Sequence, residues 1–525
     1  MNALLVLYGG SLSSHAFEPV FNGKNSVSLA IEQAKMFPGV NKTVLFTSSD
    51  MDLTGISGAQ IEKDGSRFNS WTKKSLLERI SVLQAGFDCV YFVYADCPFL
   101  DPALAGAIAQ RHIENRAEYS YADGWPYGLA PEILSPGTAG ILANILKDDG
   151  PVERDILFSV IQKDINAFDI EAEISPVDLR CHRLSLCADS KRNLMLITNF
   201  IAAAGGKIPG ACDTEQIIQT RPEILRTLPS FYPVQVSGGC PQKCAICPYP
   251  SVMDSAAQNN FMDSGKFDLL LEKIVSFSGD AVIDLSLWGE LSLHPEKMKL
   301  IKAVLSRKEL SLIIETSGIG WETAELEECA DLSRNADKRI NLPSPLSWIV
   351  SLDTADPSLY ALVRGQGFSE ANECAKKLHS LFGKDCYVQA VRTAGGEEDT
   401  EKFYRGWKEK LGGESNIIIQ KYDDFCGTLD KKQASDLSPV IRQSCWHIMR
   451  DMVILIDGTA PLCREDISAL KGDKKNILGN ALTGSLDSIW RNGEQYYLEQ
   501  CKKDYSGSSF GGLCAKCDEY YTYNF

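Results

Sequence analysis

Short apolar runs alternate with amphipathic stretches along the first two hundred residues of the chain. The apolar runs cover 4–8, 43–47 and 89–94, and stretches with a helical spacing of apolar positions, such as 74–85, lie between them. This alternation is typical of βαβ units, so we predict an α/β domain with a mostly parallel sheet. The Gly- and Pro-punctuated segment that follows, 206–230, is predicted to be a linker with a short helix.

A second alternating series begins near residue 231 and runs for about two hundred residues. Long helical patterns separate its apolar runs, and six β/α repeats predict a barrel or partial barrel. The chemistry of such a fold belongs at the carboxyl ends of its strands. We predict these strands at 233–237, 281–287, 312–315, 348–352, 387–391 and 416–420.

Composition and charge narrow the function classes. The 525 residues include 53 Lys and Arg against 69 Asp and Glu, a net charge of −16, which argues against a nucleic-acid-binding surface. No apolar run reaches the roughly 20 residues of a membrane helix, and the first residues lack the basic region of a signal peptide. We therefore expect a cytoplasmic protein whose 17 cysteines stay reduced.

One group of cysteines directly follows the first strand of the second series. Gly238 and Gly239 lead into Cys240, Cys244 and Cys247, which have the spacing C-x3-C-x2-C. Three thiolates on one loop can hold three irons of a [4Fe–4S] cube and leave the fourth iron open. The alternatives are a zinc knuckle, for which this loop is one ligand short, and inert buried thiols.

This loop, placed after a first barrel strand, resembles the signature of the radical S-adenosylmethionine (radical SAM) enzymes. Trp288-Gly289-Glu290 resembles the Gly-Gly-Glu segment with which that family holds the methionyl amino group, although Trp288 replaces the first glycine. Thr316-Ser317-Gly318 resembles its Thr-Asn-Gly turn. Ile246 stands where an aromatic residue is usual, so its contact with adenine would be apolar packing and backbone.

The resemblance implies that Cys240, Cys244 and Cys247 hold the catalytic cluster. A carboxylate suits the ammonium group of SAM, and hydroxyl and carboxylate oxygens suit its ribose hydroxyls. A radical SAM enzyme also needs a one-electron donor, such as a flavodoxin or a ferredoxin. The residues expected to bind SAM are Ile246, Gly289, Glu290, Thr316, Ser351, Asp353, Gln389 and Arg392.

A second set of cysteines lies near the end of the chain. Cys445 and Cys463 bracket a segment with a hairpin signal at Asp457-Gly458, and Cys514 and Cys517 form a C-x2-C pair. This pattern resembles the SPASM/twitch extension behind many radical SAM cores. The resemblance implies one auxiliary [4Fe–4S] cluster with four protein ligands, and a structural zinc is the alternative. Cys426 and Cys501 are left outside this set.

The amino-terminal domain resembles sugar-nucleotide cytidylyltransferases and spore-coat-polysaccharide nucleotidyltransferases. The match rests on Asp96 at a strand end, on the loop 123–132 and on Asp189. In that family two such carboxylates could hold Mg²⁺ against a nucleotide. The phosphate-binding loop departs from the pattern, because Glu18-Pro19 stands where Lys-Pro is expected. We therefore expect a degenerate domain that binds a nucleotide-like group, recruits substrate or serves as a scaffold.

The order of these domains resembles the spirochaete spiro-SPASM proteins. We expect a nucleotidyltransferase-like, Rossmann-like domain over 1–205, a radical SAM partial (β/α)6 barrel over 231–430 and a SPASM/twitch-type domain over 431–525. The leading hypothesis is a radical SAM enzyme that abstracts hydrogen from a peptide or a sugar-nucleotide-type substrate. The alternatives are a nucleotidyltransferase with regulatory clusters and a non-catalytic, cluster-bearing binding protein.

Overall fold

The chain divides into two compact units, Met1–Thr227 and Leu228–Phe525. Each unit has its own sheet and its own hydrophobic core. The computed structural model describes residues 1–10, 12–64, 70–147, 149–253, 257–339, 344–412, 416–439, 442–502 and 512–522.

The strands of the first unit are β1 Ala3–Gly9, β2 Pro19–Phe21, β3 Lys24–Asn25, β4 Val40–Ser48, β5 Gln60–Asp64, β6 Cys89–Tyr94, β7 Tyr119–Asp123, β8 Glu132–Leu134 and β9 Ile170–Ile174. Seven of them form one sheet with the order β5-β4-β1-β6-β8-β7-β9, whereas β2 and β3 form a separate antiparallel pair. Parallel pairing joins β4 to both β5 and β1, β1 to β6, and β7 to β9, whereas β8 runs antiparallel to β6 and β7. The mostly parallel sheet expected for this part of the chain is therefore present.

Helices cover this sheet, and their starts follow from local sequence. Asp101 caps one of them by accepting hydrogen bonds from the backbone amides of Ala103 and Leu104, and Pro102 occupies its first turn. Every residue of β1 and β6 is buried, as expected for central strands covered on both faces. The helices are α1 Ser26–Ala34, α2 Lys73–Leu83, α3 Pro102–Glu114, α4 Thr138–Ile145, α5 Ile156–Ile161, α6 Lys191–Ala203 and α7 Ala211–Thr220. The last of these lies in the segment expected to be a linker.

The second unit contains a curled, half-barrel sheet of six strands in sequence order, and every neighbouring pair is parallel. This arrangement agrees with the six β/α repeats expected from the sequence. In the register of the sheet Ser351 lies beside Gln389, so two polar side chains meet at the same level of neighbouring strands. The strands are β10 Phe231–Pro233, β11 Ala281–Asp284, β12 Leu310–Thr316, β13 Leu346–Ser351, β14 Cys386–Arg392 and β15 Ile417–Lys421.

The helices between these strands pack their apolar sides on the sheet. Leu270 and Ile274 on the first of them, together with Leu300 and Val304 on the second, have no exposed surface and join the core around Trp348. Burial on this scale is the main source of stability for the unit. The helices are α8 Ser264–Ser278, α9 Lys297–Leu305, α10 Thr323–Asn335, α11 Pro357–Val363, α12 Phe368–Phe382 and α13 Glu397–Lys410.

The carboxyl-terminal part carries short elements around the second cysteine set. The turn expected at Asp457-Gly458 is present, with Gly458 at a φ of 84°. The stretch after Cys445 is a helix rather than the expected strand, because it begins with the helical turn Trp446–Arg450. The elements are α14 Trp446–Arg450, β16 Thr459–Pro461, β17 Ile477–Asn480, α15 Leu486–Asn492, α16 Glu494–Cys501 and α17 Leu513–Lys516, and β16 pairs antiparallel with β17. Among the described residues no helix is both long and apolar enough to span a membrane.

Candidate active site and auxiliary cysteine site

A cavity of about 250 Å³, here called the barrel cavity, opens at the carboxyl ends of β10–β15. Its wall includes the last residues of several strands, among them Asp284 of β11 and Lys421 of β15. Because parallel strands end at one edge of a sheet, side chains that are far apart in sequence meet there. The residues expected to bind a cluster or SAM that line this cavity are Cys240, Cys244, Ile246, Cys247, Gly289, Glu290, Thr316, Ser351 and Gln389.

The three cysteines of the C-x3-C-x2-C loop are half-buried and all face the barrel cavity. Backbone hydrogen bonds hold the loop, from Ala245 N to Val363 O at 2.8 Å and from Glu290 N to Gly239 O at 2.8 Å. Burial raises the pKa of Cys240 to about 11 and that of Cys247 to about 12. Metal binding would replace these thiol protons.

Gly289 allows the next strand end to approach the cysteine loop closely. Its φ of 134° is unfavourable for side chains, and a Cβ at this position would lie 1.9 Å from the carbonyl oxygen of Ser237. The preceding Trp288 has a φ of 46° and stacks on Tyr249, with the ring centroids 6.0 Å apart. The stacking of Trp288 on Tyr249 therefore helps to fix the conformation of the Trp-Gly-Glu segment. Tryptophan is accommodated at the position where the Gly-Gly-Glu pattern has its first glycine.

Glu290 has both carboxylate oxygens positioned by the protein. Thr316 Oγ1 donates to Oε1 over 2.6 Å, and the Ser317 backbone amide donates to Oε2 over 2.8 Å. Only 4% of Glu290 is exposed, and burial raises the pKa of its carboxyl group. A carboxylate accepts more than one hydrogen bond per oxygen, so Glu290 keeps acceptor capacity for a cationic ligand in the cavity.

Asp353 and Arg392 do not line the barrel cavity. Asp353 instead pairs with Arg364, whose Nη1 lies 2.5 Å from Oδ2, and it accepts the Val391 amide on Oδ1 at 2.9 Å. Arg364 does line the cavity, and its Nε donates to Gln242 Oε1 within the cysteine loop. Arg364 was not expected as a site residue.

Ser351 and Gln389 converge on Glu315, which was not expected as a site residue. Ser351 Oγ donates to Glu315 Oε1 over 2.5 Å, and Gln389 Nε2 donates to the same oxygen over 2.8 Å. All three side chains line the barrel cavity. They provide a hydroxyl, an amide and a carboxylate in one hydrogen-bonded group, a chemistry that suits ribose hydroxyls.

A second cavity, here called the cysteine cavity, lies in the carboxyl-terminal part of the unit. The four cysteines expected to hold an auxiliary cluster line it, and so does Cys426. The side chain of Gln500 contacts two of these residues: Oε1 accepts the Cys445 amide at 2.6 Å, and Nε2 lies 3.7 Å from Cys514 Sγ. The four expected thiols are therefore brought together, and a fifth joins them. The four are Cys445, Cys463, Cys514 and Cys517.

The spacing of these thiols can be compared with that of zinc ligands. A tetrahedral zinc with Zn–S bonds of about 2.3 Å would bring its sulfurs to about 3.8 Å from one another. Within the described part of the chain, two groups have three ligand atoms that all lie within 4.8 Å of each other, and neither contains a cysteine of this cavity. The two groups are Asp96, Cys97 and Cys187, and Asp423, Asp518 and Glu519. Among the described residues, no three thiols of this cavity therefore lie as close together as the ligands of one zinc ion.

In the first unit, Arg154 lies between the two carboxylates expected to hold Mg²⁺. Its guanidinium pairs with Asp96, which is 2% exposed, and lies 3.3 Å from Asp189 Oδ2. The rings of Tyr94 and Tyr127 lie 5.2 and 5.8 Å from it. Because the Arg154 cation already pairs with both carboxylates, this arrangement does not favour a Mg²⁺ ion between them. Arg154 lies 58 positions from Asp96, and no sequence signal linked the two.

The charged side chains near the phosphate-binding loop, which departs from the nucleotidyltransferase pattern, are paired with one another. Lys24, the only cation near this loop in the sequence, pairs with Glu32 over 2.8 Å. Glu18 contacts His15 instead of a lysine. A triphosphate would therefore meet no unpaired lysine or arginine among the described residues of 8–24.

The chain resembles several solved structures, at TM-scores too low to establish a shared fold. Streptococcus suis SuiB bound to precursor peptide SuiA is 15% identical, with 53% of this chain and 70% of that chain covered and a TM-score of 0.40. The protein anSMEcpe with bound AdoMet is 16% identical, with coverages of 55% and 87% and a TM-score of 0.40. A cytidylyltransferase from Leptospira borgpetersenii is 16% identical, with coverages of 43% and 95% and a TM-score of 0.35.

Sequence comparison finds a protein with a higher sequence identity to this chain than the solved structures above. No model of a known protein family matches the chain. A protein of Treponema pallidum (strain Nichols), described as uncharacterized, is 35% identical over 378 residues, which are 70% of this chain and 98% of that protein. A second Treponema pallidum protein is 39% identical over 61 residues, 12% of this chain and 28% of its own length. The chain therefore belongs to the same family as the first of these Treponema pallidum proteins.

Proposed function

We propose that the protein is a radical SAM enzyme that carries its catalytic [4Fe–4S] cluster on Cys240, Cys244 and Cys247. The observation that carries the proposal is the barrel cavity, because the three thiols and the hydrogen-bonded Glu290 line the same space. A loop of three cysteines without a fourth leaves one iron open, and Glu290 offers a carboxylate for an ammonium. These are the two groups that SAM needs in one place.

The donor set fits the cluster chemically. Three thiols, half-buried and on one short loop, are the ligand type that iron–sulfur clusters require. When bound, a reduced cluster supplies one electron to SAM, whose cleavage gives methionine and a 5′-deoxyadenosyl radical that takes hydrogen from the substrate. The chain itself binds and orients SAM and keeps the radical away from water.

Different side chains of the barrel cavity bind different parts of SAM. Glu290, held by Thr316 and Ser317, binds the methionyl ammonium. The group formed by Glu315, Ser351 and Gln389 binds ribose hydroxyls, and Ile246 packs on adenine. Thr316 and Gly289 act by positioning Glu290 and the cysteine loop. We do not assign direct SAM contacts to Asp353 and Arg392, since neither lines the cavity.

Arg364 supplies a fixed positive charge next to the thiols. The Asp353 carboxylate opposes the effect of burial and keeps the pKa of Arg364 above its ordinary value, so the guanidinium stays charged. Burial raises the pKa of Cys244, and Arg364 works against that rise. A cation at this position stabilises thiolates and the negative charge of a reduced cluster. Arg364 is thus a positioning and electrostatic residue of the site.

The cysteine cavity is proposed to hold one auxiliary [4Fe–4S] cluster on Cys445, Cys463, Cys514 and Cys517. Four thiols in one cavity, spaced more widely than zinc requires, support a cluster over a zinc ion. With protein ligands on every iron, such a cluster would serve electron transfer or structure. The electron donor for the catalytic cluster is proposed to be a small protein of the flavodoxin or ferredoxin type, in the cytoplasm.

The first unit is proposed to be a nucleotidyltransferase-like domain without Mg²⁺ chemistry. Arg154 pairs with both Asp96 and Asp189, which speaks against nucleotidyl transfer as the main activity. Its role would be to bind a nucleotide-like group or to recruit a peptide or sugar-nucleotide-type substrate to the second unit. Release of pyrophosphate from CTP that depends on both Mg²⁺ and Asp96 would contradict this proposal.

Iron analysis and EPR of the anaerobically reconstituted protein test the assignment of the cysteines and of SAM binding. We expect about eight irons per chain, four for each cluster, and a reduced-cluster EPR signal that changes when SAM is added. The C240A/C244A/C247A variant should keep about four irons and lose the response to SAM. The matched control is C212A, which removes an exposed thiol outside both cavities and should behave as wild type.

A further inference from the structure

We propose that Cys426 and Cys517 are alternative ligands for one corner of the auxiliary cluster. The cysteine cavity then holds five thiols for four irons, and one of this pair is unligated at any time. The proposal rests on the proposed function, since it assumes that the cavity binds a cluster. It assigns a function to a cysteine that lies outside the C-x17-C and C-x2-C motifs of the sequence.

The first support is the position of the Cys426 side chain. It lines the cysteine cavity together with the four other thiols, and it hydrogen-bonds to Cys517. Cys501, which like Cys426 was left outside the second cysteine set, does not line this cavity. The core cysteines Cys329, Cys374 and Cys386 are buried among apolar side chains, whereas Cys426 is half-buried beside another thiol. Its surroundings are those of a ligand rather than of a core residue.

The second support is the backbone that presents Cys426. Phe425 and Cys426 have φ values of 51° and 56°, so two successive residues other than glycine adopt the left-handed conformation. Two carboxylates hold this turn, because Asp423 accepts the Phe425 amide and Asp424 accepts the Gly427 amide, both at 2.8 Å. Strained backbone that is held in this way is concentrated at functional sites. Here the turn directs the Cys426 thiol to Cys517.

Cys517 is also suited to exchange. The backbone amide of Glu519 lies 3.3 Å from Cys517 Sγ and can donate to it. In the exchange the iron–sulfur bond to Cys517 breaks and a bond to Cys426 forms. The proton of the Cys426 thiol passes to the departing Cys517 sulfur across their hydrogen bond. No electron is gained or lost, so the step needs no oxidant or reductant.

The same turn touches the barrel cavity. Phe425 lines that cavity and packs on Trp288, with the ring centroids 5.5 Å apart, while the next residue reaches the cysteine cavity. The two consecutive residues Phe425 and Cys426 therefore connect the Trp-Gly-Glu segment to the cysteine cavity.

Iron content of single and double cysteine variants tests the proposal. The full-length protein is reconstituted anaerobically as wild type, C426A, C517A and C426A/C517A. We expect about eight irons per chain in the first three and about half of that in the double variant. C445A, which removes a motif thiol outside the Cys426–Cys517 hydrogen bond, should resemble the double variant. C501A/C517A is the matched control and should keep the iron of C517A, because Cys501 is outside the cavity.

The outcomes separate this proposal from the proposed function. If C517A loses half of its iron while wild type keeps about eight, Cys426 cannot replace Cys517 and the proposal is overturned. If wild type itself binds only about four irons, the auxiliary cluster is absent and that part of the proposed function fails. The SAM-dependent EPR change of the catalytic cluster reports whether each variant is folded. A C517A protein that retains this change but not its auxiliary iron counts against the proposal.

Discussion

Thr316 Oγ1 donates a 2.6 Å hydrogen bond to Glu290 Oε1 across two neighbouring strand ends of the half-barrel. Thr316 ends β12, and Glu290 follows β11, so the register of the sheet sets the distance between them. The Ser317 amide holds the other oxygen at 2.8 Å. Glu290 is thus oriented before any ligand binds, and little side-chain freedom is lost when one does.

Replacing Glu290 by glutamine should weaken SAM binding by at least tenfold, or about 1.4 kcal/mol. Glutamine keeps the size and one acceptor but removes the negative charge that pairs with the ammonium. Equilibrium dialysis of SAM against the cluster-loaded protein measures the effect. E373Q, on the exposed face of α12, is the control and should bind SAM as wild type does. Unchanged affinity in E290Q would remove Glu290 from the SAM site.

Arg364 is expected to be essential for the stability of the second unit. Asp353 is 8% exposed, so R364M would leave its carboxylate buried without a cation, at a cost of about 3 kcal/mol or more. Amide hydrogen exchange in β13 and β14 reports the loss. The double variant R364M/D353N should recover much of it, because no unpaired charge remains. Equal protection of R364M and wild type would show that the pair contributes little.

Gly289 should tolerate no side chain. The Cβ of G289A would lie 1.9 Å from the Ser237 carbonyl oxygen at a φ that alanine avoids. We expect the cysteine loop to be displaced and the catalytic cluster to be lost. The total iron content of the reconstituted protein should then fall by about half. The control is G406A on α13, where an added Cβ meets nothing within 4 Å and alanine favours the helix. Full iron loading of G289A would contradict the close approach.

The stability of the first unit should fall as the pH rises through the titration of Glu132. Burial raises the pKa of Glu132 from 4.5 to about 7, and Tyr119 donates a 2.5 Å hydrogen bond to it. The folded unit thus holds this proton more tightly than the unfolded chain. The stabilisation from the protonated Glu132 carboxyl group is complete below about pH 4.5 and declines up to about pH 7. Above that pH, its loss lowers the free energy of unfolding by about 3 kcal/mol.

The E132Q variant isolates this effect. Glutamine has no proton to lose, so the free energy of unfolding of the first unit should exceed that of wild type above pH 7. The two proteins should differ less as the pH approaches 4.5. Hydrogen exchange in β6 and β8, compared between the two proteins at each pH, cancels the intrinsic pH dependence of exchange. A difference that is constant from pH 5 to pH 8 would contradict the raised pKa.

Patterns within short stretches of sequence predicted the features of the fold that depend on residues close together in the chain. Alternation of apolar and amphipathic stretches predicted the mostly parallel first sheet and the parallel second sheet, because strand burial and helix periodicity can be recognised in short windows of sequence. The spacing within the loop from Cys240 to Cys247 predicted that its three thiols would face one space. The segment after Cys445 was predicted as a strand and is a helical turn, since five residues carry too weak a periodicity to decide.

Contacts between distant residues could not be predicted in the same way. Arg154 pairs with Asp96, and Arg364 pairs with Asp353, but nothing in a single chain tells which of many acids an arginine will meet. Cys426 lies 19 positions before Cys445, outside the spacing of any cysteine motif, and only the fold brings it to Cys517. The proposed roles of both sites depend on these pairs, which only the folded chain reveals.

Formation of 5′-deoxyadenosine from SAM tests the central claim most directly. The anaerobically reconstituted protein is reduced with dithionite, mixed with SAM and assayed by chromatography and mass spectrometry. We predict 5′-deoxyadenosine from wild type and from the C212A control, and none from C240A/C244A/C247A. Wild-type protein with a full complement of iron that yields no 5′-deoxyadenosine would contradict the assignment of radical SAM chemistry to the barrel cavity.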